Sequence, residues 1–130
     1  MVLDTSALTA ILQREPSADR LMQAISVATV RVVSAATVLE LSLVLLGRYG
    51  ELGEAQLDAF LRALRVEVVP VDAEQLALAR DAARVFGRGR HPAGLNFVDC
   101  FSYALAIQRG EPLLFVGLDF GRTDVIAAEW

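Results

Sequence analysis

Lysine is absent from the chain, and cysteine and histidine each occur only once among its 130 residues. With Cys100 as the single thiol, an internal disulfide and a zinc site built from several cysteines are excluded. The sequence also lacks a P-loop, a glycine-rich dinucleotide fingerprint and a Ser-His-Asp set. Several large classes of enzyme are therefore excluded.

A basic leader and a long uninterrupted apolar run are absent as well. No basic segment precedes an early apolar stretch, so no signal peptide is expected. The most apolar stretch, residues 27–46, is broken by Arg31 and Glu40, and we interpret it as core rather than a membrane span. The composition, 55% hydrophobic and 22% charged, excludes disorder. We expect one cytoplasmic domain over residues 1–130, without membrane association.

All twelve basic residues are arginine, in a chain whose net charge is −4. This acidic balance argues against a general nucleic-acid coat protein. Arginine binds phosphate in a planar, bidentate manner, so a local cluster of arginines is a candidate phosphate-binding surface. Codon bias is the alternative explanation for the missing lysines. One such cluster is opposed by the single acid Asp81 and consists of Arg80, Arg84, Arg88 and Arg90.

Strand-like and helix-like segments alternate along the chain. Strands are predicted at residues 2–3, 31–34, 66–71 and 113–116, with a short last strand at 125–127. Helices are predicted at 5–14, 17–24, 36–48, 53–64, 73–86 and 97–109, and the expected capping residues are Thr5 or Ser6, Ser17 and Asn96. Residues 87–94 form the only long loop, which its glycines make mobile. The order predicts an α/β fold with a mostly parallel sheet covered by helices on both faces.

Four acids occupy apolar surroundings near the predicted ends of strands or beginnings of helices: Asp4, Glu40, Asp99 and Asp119. A carboxylate among apolar neighbours is costly unless a positive group pairs with it. The carboxyl ends of parallel strands share one rim of the sheet, and helices that follow them begin at the same rim. The four side chains are therefore expected to converge there.

Each acid also has a simpler interpretation. Asp4 fits the positive end of a helix dipole, and Asp99 fits a capping box with Asn96. Glu40 fits an exposed helix position. Asp119 fits an ordinary turn, as does its neighbour in sequence, Asp124. Their shared position on one rim favours the functional interpretation.

Clustered carboxylates bind hard cations such as Mg²⁺ or Mn²⁺. Without an ion they repel one another and raise carboxyl pKa values. With an ion the site lowers the pKa of bound water and neutralises phosphate charge. Phosphodiester hydrolysis is the reaction that best matches this set of side chains.

Four motifs together resemble the PIN domain, and more closely the VapC toxins of type II toxin–antitoxin pairs. The motifs are residues 2–7, Glu40, residues 94–100, and residues 113–120 with Thr123 and Asp124. The resemblance spans nearly the whole chain, in order and with the expected spacing. It implies a PIN-like fold with about five parallel strands, and a Mg²⁺-dependent endoribonuclease acting on structured RNA such as tRNA.

The same resemblance assigns roles to individual residues. Asp4 and Asp99 match the direct metal ligands, and Glu40 matches an acid that ligates the ion or orients water. Asp119 matches the fourth acid, although Asp124 competes for that place. Ser6 matches a small hydroxyl residue beside the site. We hypothesise that water attacks an RNA phosphodiester in line, with the substrate guided by the arginines of the cluster, including Arg84, Arg88 and Arg90.

The resemblance also implies a homodimer and a VapB-like antitoxin whose tail blocks the active-site groove. Apolar surface for such partners is expected on the first two helices and on the 36–48 helix, where sequence does not separate interface from core. One alternative is a catalytically degraded PIN-like module that only binds RNA or a protein. A receiver-like phosphatase is a poor second, because Asp4 has no adjacent acid and no lysine follows.

Overall fold

Four short parallel strands form the centre of the computed structural model, which describes residues 1–130. The strands are β1 (Val2–Leu3), β2 (Val32–Ser34), β3 (Glu67–Val69) and β4 (Leu113–Leu114), in the spatial order β3-β2-β1-β4. Six helices connect them: α1 (Thr5–Leu12), α2 (Ala18–Val27), α3 (Ala35–Tyr49), α4 (Glu51–Ala63), α5 (Ala73–Phe86) and α6 (Asp99–Arg109). The predicted α/β class is confirmed.

Side chains alternate across the sheet and divide the core in two. Val2 of β1 pairs in register with Val32 of β2 and Leu113 of β4, and these three pack against α5 and α6. The next residues along two of the strands, Leu3 and Val33, pack against α1 to α4 on the other face. Both faces are covered by helices, which is the usual condition of a parallel sheet.

The predicted fifth strand is wrong. Residues 125–127 contribute one isolated bridge, between Leu113 and Ala127. Because β4 is only two residues long, there is little backbone for a further strand to pair with. A single 3-10 turn, Phe120–Arg122, lies between β4 and this bridge. The sheet therefore has four strands rather than about five.

The apolar stretch at residues 27–46 is divided between the end of α2, β2 and most of α3. Val32, Val33 and Leu41 within it are buried in the two core clusters. None of the helices is both long and apolar enough to cross a membrane. The stretch is therefore core only in part, because Leu39, Leu43 and Leu46 on α3 are exposed.

Two details of the predicted helix ends are wrong. Asp4, in extended conformation, caps α1 in place of Thr5 or Ser6, because its carboxylate accepts the Ser6 backbone N–H. Ser17 precedes α2 as predicted, but its side chain makes no capping hydrogen bond. The N-terminal groups of α1 are thus satisfied by the acid that follows β1, as expected for an N-cap aspartate.

The loop at residues 87–94 is closed by hydrogen bonds rather than open. Leu95 donates its N–H to the Phe86 carbonyl at 3.0 Å, and Arg88 donates to the Leu95 carbonyl at 3.1 Å. Ala93 and Leu95 are buried in the core beneath it. These bonds and contacts restrict the loop more than its glycine content alone predicts.

Candidate active site

Asp4 directly follows β1, and its carboxylate lies on the buried side of the rim formed by the carboxyl ends of the strands. The side chain is only 2% exposed. Its Oδ2 accepts hydrogen bonds from the Ser6 backbone N–H at 2.9 Å and from the Ser6 hydroxyl at 2.6 Å. The Ser6 hydroxyl in turn accepts the N–H of Val116, just beyond β4, at 3.0 Å. Ser6 therefore joins Asp4 to the end of a neighbouring strand.

The other oxygen of Asp4, Oδ1, is buried and has no hydrogen-bond partner. A buried acceptor left without a partner costs free energy, and more so when it is charged. No salt bridge involves Asp4: the three in the chain join Glu111 to the N-terminal amine, Asp81 to Arg84 and Glu67 to Arg109. This oxygen is in the state expected of a ligand for a cation.

Asp99 is the first residue of α6 and forms the predicted capping box with Asn96. Its Oδ2 accepts the Asn96 backbone N–H at 2.7 Å. Asn96 Oδ1 accepts the N–H groups of Val98 at 2.8 Å and Asp99 at 3.0 Å. The helix begins at Asp99, two residues later than the predicted range of 97–109. The cap fixes the side chain at the rim and leaves Oδ1 of Asp99 outside the capping box.

The carboxyl pKa of Asp99 responds to the charges of the other three acids. Burial is the largest cause of the rise of this pKa to about 6, to which negative charges on three neighbours also contribute and which the Asn96 N–H opposes. These neighbours are Asp4, Glu40 and Asp119. Charged groups from four separated parts of the sequence therefore act on a single carboxyl group.

Glu40 reaches the site from the second turn of α3 and is half-buried. Its Oε2 accepts the Thr5 hydroxyl hydrogen at 2.6 Å. Thr5 was not among the predicted site residues, although its position next to Asp4 at a strand end is the signal that could have found it. The contact holds α3 against the start of α1 and fixes the direction of the Glu40 side chain.

The competition between the two C-terminal acids is decided by Tyr103. The Tyr103 hydroxyl donates to Asp124 Oδ1 at 2.8 Å, and burial followed by this hydrogen bond raises the pKa of Tyr103 to about 12. Asp119 lies exposed before the 3-10 turn, and it is Asp119 whose charge acts on Asp99. Asp124 is therefore engaged by Tyr103, and Asp119 stays the predicted fourth acid.

Carboxylates are suitable ligands for a divalent cation, but these side chains are not spaced as a complete metal site. No three histidine, cysteine, aspartate or glutamate side chains stand close enough together to form a ready-made metal site. Mg²⁺ commonly takes one or two carboxylates and keeps several waters, so it does not need such a cluster. Asp4 and Asp99 are the residues that would hold it, because Oδ1 of Asp4 is buried without a partner and Oδ1 of Asp99 lies outside the capping box.

The predicted arginine cluster is divided by the structure. Arg84 pairs with Asp81 on the exposed side of α5. Arg80, Arg88 and Arg90 are exposed and take part in no salt bridge. Arg80 and Arg88 border a groove that also contains Asn96. His91 is not part of the acidic site: its Nδ1 accepts the Ala93 N–H at 3.1 Å.

A family profile described as the PIN domain matches residues 1–126 of this chain. The chain belongs to the PIN domain family. Within it, the relatives are VapC ribonucleases. Ribonuclease VapC of Mycolicibacterium smegmatis is 52% identical over 127 residues, which cover 98% of both chains. Ribonuclease VapC30 of Mycobacterium tuberculosis is 50% identical over 125 residues, 96% of this chain and 95% of the relative. The resemblance drawn from the four motifs is confirmed.

Solved VapC structures share the fold. VapC20 of Mycobacterium tuberculosis, a toxin that cleaves the sarcin-ricin loop, aligns with a TM-score of 0.77 at 22% identity, over 96% of this chain and 95% of its own. VapBC2 of Rickettsia felis, bound to a DNA fragment from its promoter, aligns with a TM-score of 0.77 at 19% identity, over 99% and 97%. At such identities these likenesses establish the PIN-like architecture of VapC for this chain, and nothing about its substrate.

Proposed function

We propose that this chain is the toxin of a toxin–antitoxin pair and a metal-dependent endoribonuclease that hydrolyses RNA phosphodiester bonds. The observation that carries the proposal is the buried, unpartnered Oδ1 of Asp4 beside Asp99, whose pKa is raised by burial and by three other acids. Membership of the VapC ribonucleases supports it independently. The PIN domain proposed here comprises residues 1–130, and its cofactor is Mg²⁺ with Mn²⁺ as a substitute.

The residues divide the work by position. Asp4 and Asp99 would hold the ion, which when bound would supply a water of lowered pKa and neutralise phosphate charge. Glu40, fixed by Thr5, accepts a proton from the attacking water or orients it. Asp119 completes the negative site from its exposed position before the 3-10 turn. Ser6 keeps Asp4 in place through its two hydrogen bonds.

The proposed substrate is a structured RNA such as tRNA. An acidic site repels a polyanion, so a positive surface near it is needed to hold the backbone. Arg88 and Arg90 are exposed near the beginning of α6 and have no salt-bridge partner in the chain. Arg84 is the weaker candidate of the predicted set, because Asp81 already neutralises it.

The activity is tested with purified chain, total RNA and Mg²⁺. We expect cleavage that stops on addition of chelator, and a loss of about 100-fold or more for Asp4→Asn and for Asp99→Asn, because each removes a charged ligand. Asp58→Asn, an exposed acid on α4, is the matched control and should cleave as the parent chain does. Full cleavage by both rim variants would contradict the mechanism.

A VapB-like antitoxin is the proposed partner, and α3 offers a surface for it. Helix-spaced apolar side chains on α3 face solvent, with Leu43 61% exposed, and we call this surface the α3 apolar face: Leu39, Leu43 and Leu46. Leu8, Leu21 and Ile25 of the first two helices are instead buried in the core. Glu40 also lies on α3, so a partner on this face is within reach of the acids.

Co-expression with the product of the neighbouring reading frame tests this part of the proposal. We expect rescue of growth and a co-purifying complex, which Leu43→Glu disrupts because it places a charge in the interface. Val85→Glu, at a 56% exposed position of α5, is the control and should leave the complex intact. Light scattering of the toxin alone tests the proposed homodimer, and a monomeric mass would refute it.

A catalytically degraded PIN-like binding module is the second candidate. The observation that favours it is the absence of a ready-made cluster of three metal ligands. Such a module would bind RNA or a partner without carboxylate-dependent binding of Mn²⁺. A Mn²⁺ titration of the parent chain and of Asp4→Asn therefore separates the two candidates.

A further inference from the structure

A groove of about 440 Å³ runs between α5 and the beginning of α6. Its size lies in the range of small-molecule sites. The lining is mostly apolar and includes Leu76, Ala79 and Ala83 on α5, and Phe97, Cys100 and Phe101 around the start of α6. The roles proposed above for the four acids and for the α3 apolar face do not involve this groove.

The groove adjoins the acidic site through Asn96 and Cys100. Asn96 lines the groove, and its backbone N–H donates to Asp99 Oδ2 at 2.7 Å. Cys100 also lines the groove and directly follows Asp99 in α6. A ligand in the groove is therefore next to the position proposed for the cleaved phosphate.

Phe97 provides an exposed aromatic surface at this junction. Its side chain is 78% exposed, only two residues before Asp99. The ring contacts Phe101 edge-on, with the two centroids 5.2 Å apart and an interplanar angle of 77°. This contact supports the ring from one side and leaves its remaining surface for stacking. Nucleobases stack on such rings whatever their identity.

Positive charge lies along the same groove. Arg80 and Arg88 border it, and neither forms a salt bridge within the chain. Arg84, between them in sequence, is neutralised by Asp81 and does not line the groove. In a protein of net charge −4, free guanidinium groups beside an apolar groove match a ligand that is both aromatic and anionic.

We propose that the groove is the subsite for one unpaired nucleobase of the RNA, next to the cleaved phosphodiester bond. Phe97 stacks on the base, and Arg80 and Arg88 bind the phosphates that flank it. The inference rests on the proposed function and adds a specific contact to it. A second copy of the chain is the other occupant with suitable chemistry, but the free arginines favour RNA.

Binding of a labelled single-stranded RNA of random sequence, in chelator and without divalent ion, tests the subsite. We expect Phe97→Ala to bind about ten-fold more weakly, the scale of one lost stacking contact, and Phe97→Tyr to bind as the parent does. Ala83→Phe, at an exposed position of α5, fills the groove and should show the same loss. Arg80→Ala and Arg88→Ala should bind more weakly and with less dependence on salt, whereas Arg62→Ala, at an exposed position of α4 outside the groove, is the unaffected control.

Three results would overturn the inference. The first is no measurable binding by the parent chain, and the second is parental affinity in Phe97→Ala. The third is that Phe97→Ala and Ala83→Phe bind RNA as the parent does but have a different mass in light scattering. That result would make the groove an interface between copies of the chain. Binding with the expected variant pattern, but without cleavage in Mg²⁺, would instead reject the proposed nuclease activity while leaving the subsite supported.

Discussion

The side chain of Asp99 has two roles, one as a helix cap and one as a negative charge in the candidate site. Oδ2 closes the capping box with Asn96, while the negative charge of the carboxylate adds to those of Asp4, Glu40 and Asp119. A capping acid at a helix beginning is ordinary, and its pKa is normally lowered there. Here burial and like charges raise the pKa instead, so this capping acid is destabilised in its ionised form.

The raised pKa of Asp99 makes the folded chain more stable at lower pH. The folded pKa of about 6 exceeds the unfolded value of 3.8, so the native state binds more protons between the two values. This contribution therefore falls as pH rises through about 4 to 6. Without divalent ions we expect Asp99→Asn to be more stable than the parent at pH 7.5, by about 1 kcal/mol after allowance for solvent screening.

Urea unfolding in chelator at several pH values measures this difference. The gain from Asp99→Asn should shrink towards zero near pH 4, where Asp99 is already protonated in the folded chain. A gain that is the same at both ends of the range would contradict the assignment of the pKa. At Mg²⁺ concentrations below saturation, cleavage should decline as pH falls towards and below about 6, because the proton competes with the ion for Asp99.

Ser6 is predicted to be a stabilising residue as well as a site residue. Ser6→Ala removes the hydroxyl that donates to Asp4 and accepts from Val116, and both groups lose a partner. We expect the free energy of unfolding to fall by about 1–3 kcal/mol. Ser26→Ala, at an exposed position of α2, should change it by no more than about 0.5 kcal/mol. If the two substitutions changed the free energy of unfolding by the same amount, the hydrogen bonds that join Asp4 to Val116 through the Ser6 hydroxyl would contribute no stability.

At the level of elements, the turn from α5 into the loop depends on a close approach of backbone. Gly87 follows α5, and a Cβ built there would lie 2.2 Å from the Ala83 carbonyl oxygen. This atom belongs to the helix backbone and cannot rotate away. The turn brings Leu95 back to Phe86 and so places Asn96 and Asp99 against α5.

Gly87→Ala and Gly47→Ala should change stability in opposite directions. At Gly87 the added methyl forces the backbone apart, and we expect a loss of about 1–3 kcal/mol. At Gly47, within α3, nothing lies within 4 Å of the added Cβ, so the better helix propensity of alanine should stabilise by about 0.5–1 kcal/mol. Denaturant unfolding of both variants checks the signs, and two losses of similar size would contradict the account.

At the level of the whole molecule, the fold gathers like charges that the chain itself does not neutralise. Asp4 follows β1, Glu40 lies on α3, Asp99 begins α6 and Asp119 follows β4. The three salt bridges of the chain involve none of them. Their mutual repulsion lowers the stability of the folded state, and a bound cation would remove that penalty.

Divalent ions should therefore stabilise the fold itself. We expect Mn²⁺ or Mg²⁺, at about one hundred times its dissociation constant, to add about 2.7 kcal/mol of stability. Thermal unfolding with and without the ion measures this, independently of any RNA cleavage. The gain should be lost in Asp4→Asn and kept in Asp58→Asn. An unchanged melting temperature of the parent chain would favour the degraded binding module.

Local sequence rules predicted most elements because their signals lie within a few residues. The six helices and four strands were found, and the capping box of Asn96 and Asp99 was identified from spacing alone. The fifth strand failed for a long-range reason: whether residues 125–127 pair depends on the length of β4. Asp4 was not predicted as the N-cap of α1, because Asp4, Thr5 and Ser6 are all favoured N-cap residue types and residue type alone does not show which of them keeps an extended backbone.

By itself the sequence determined the α/β class and the likeness to PIN domains, and it supplied the four acids predicted for the site, because these depend on periodicity and residue type along the chain. Only the tertiary structure decided that Asp124 accepts a hydrogen bond from Tyr103 while the charge of Asp119 acts on Asp99, that Thr5 holds Glu40, and that Arg84 pairs with Asp81 while Arg88 lines a groove. These outcomes depend on side chains distant in sequence or on the direction of single side chains, and no local pattern encodes either.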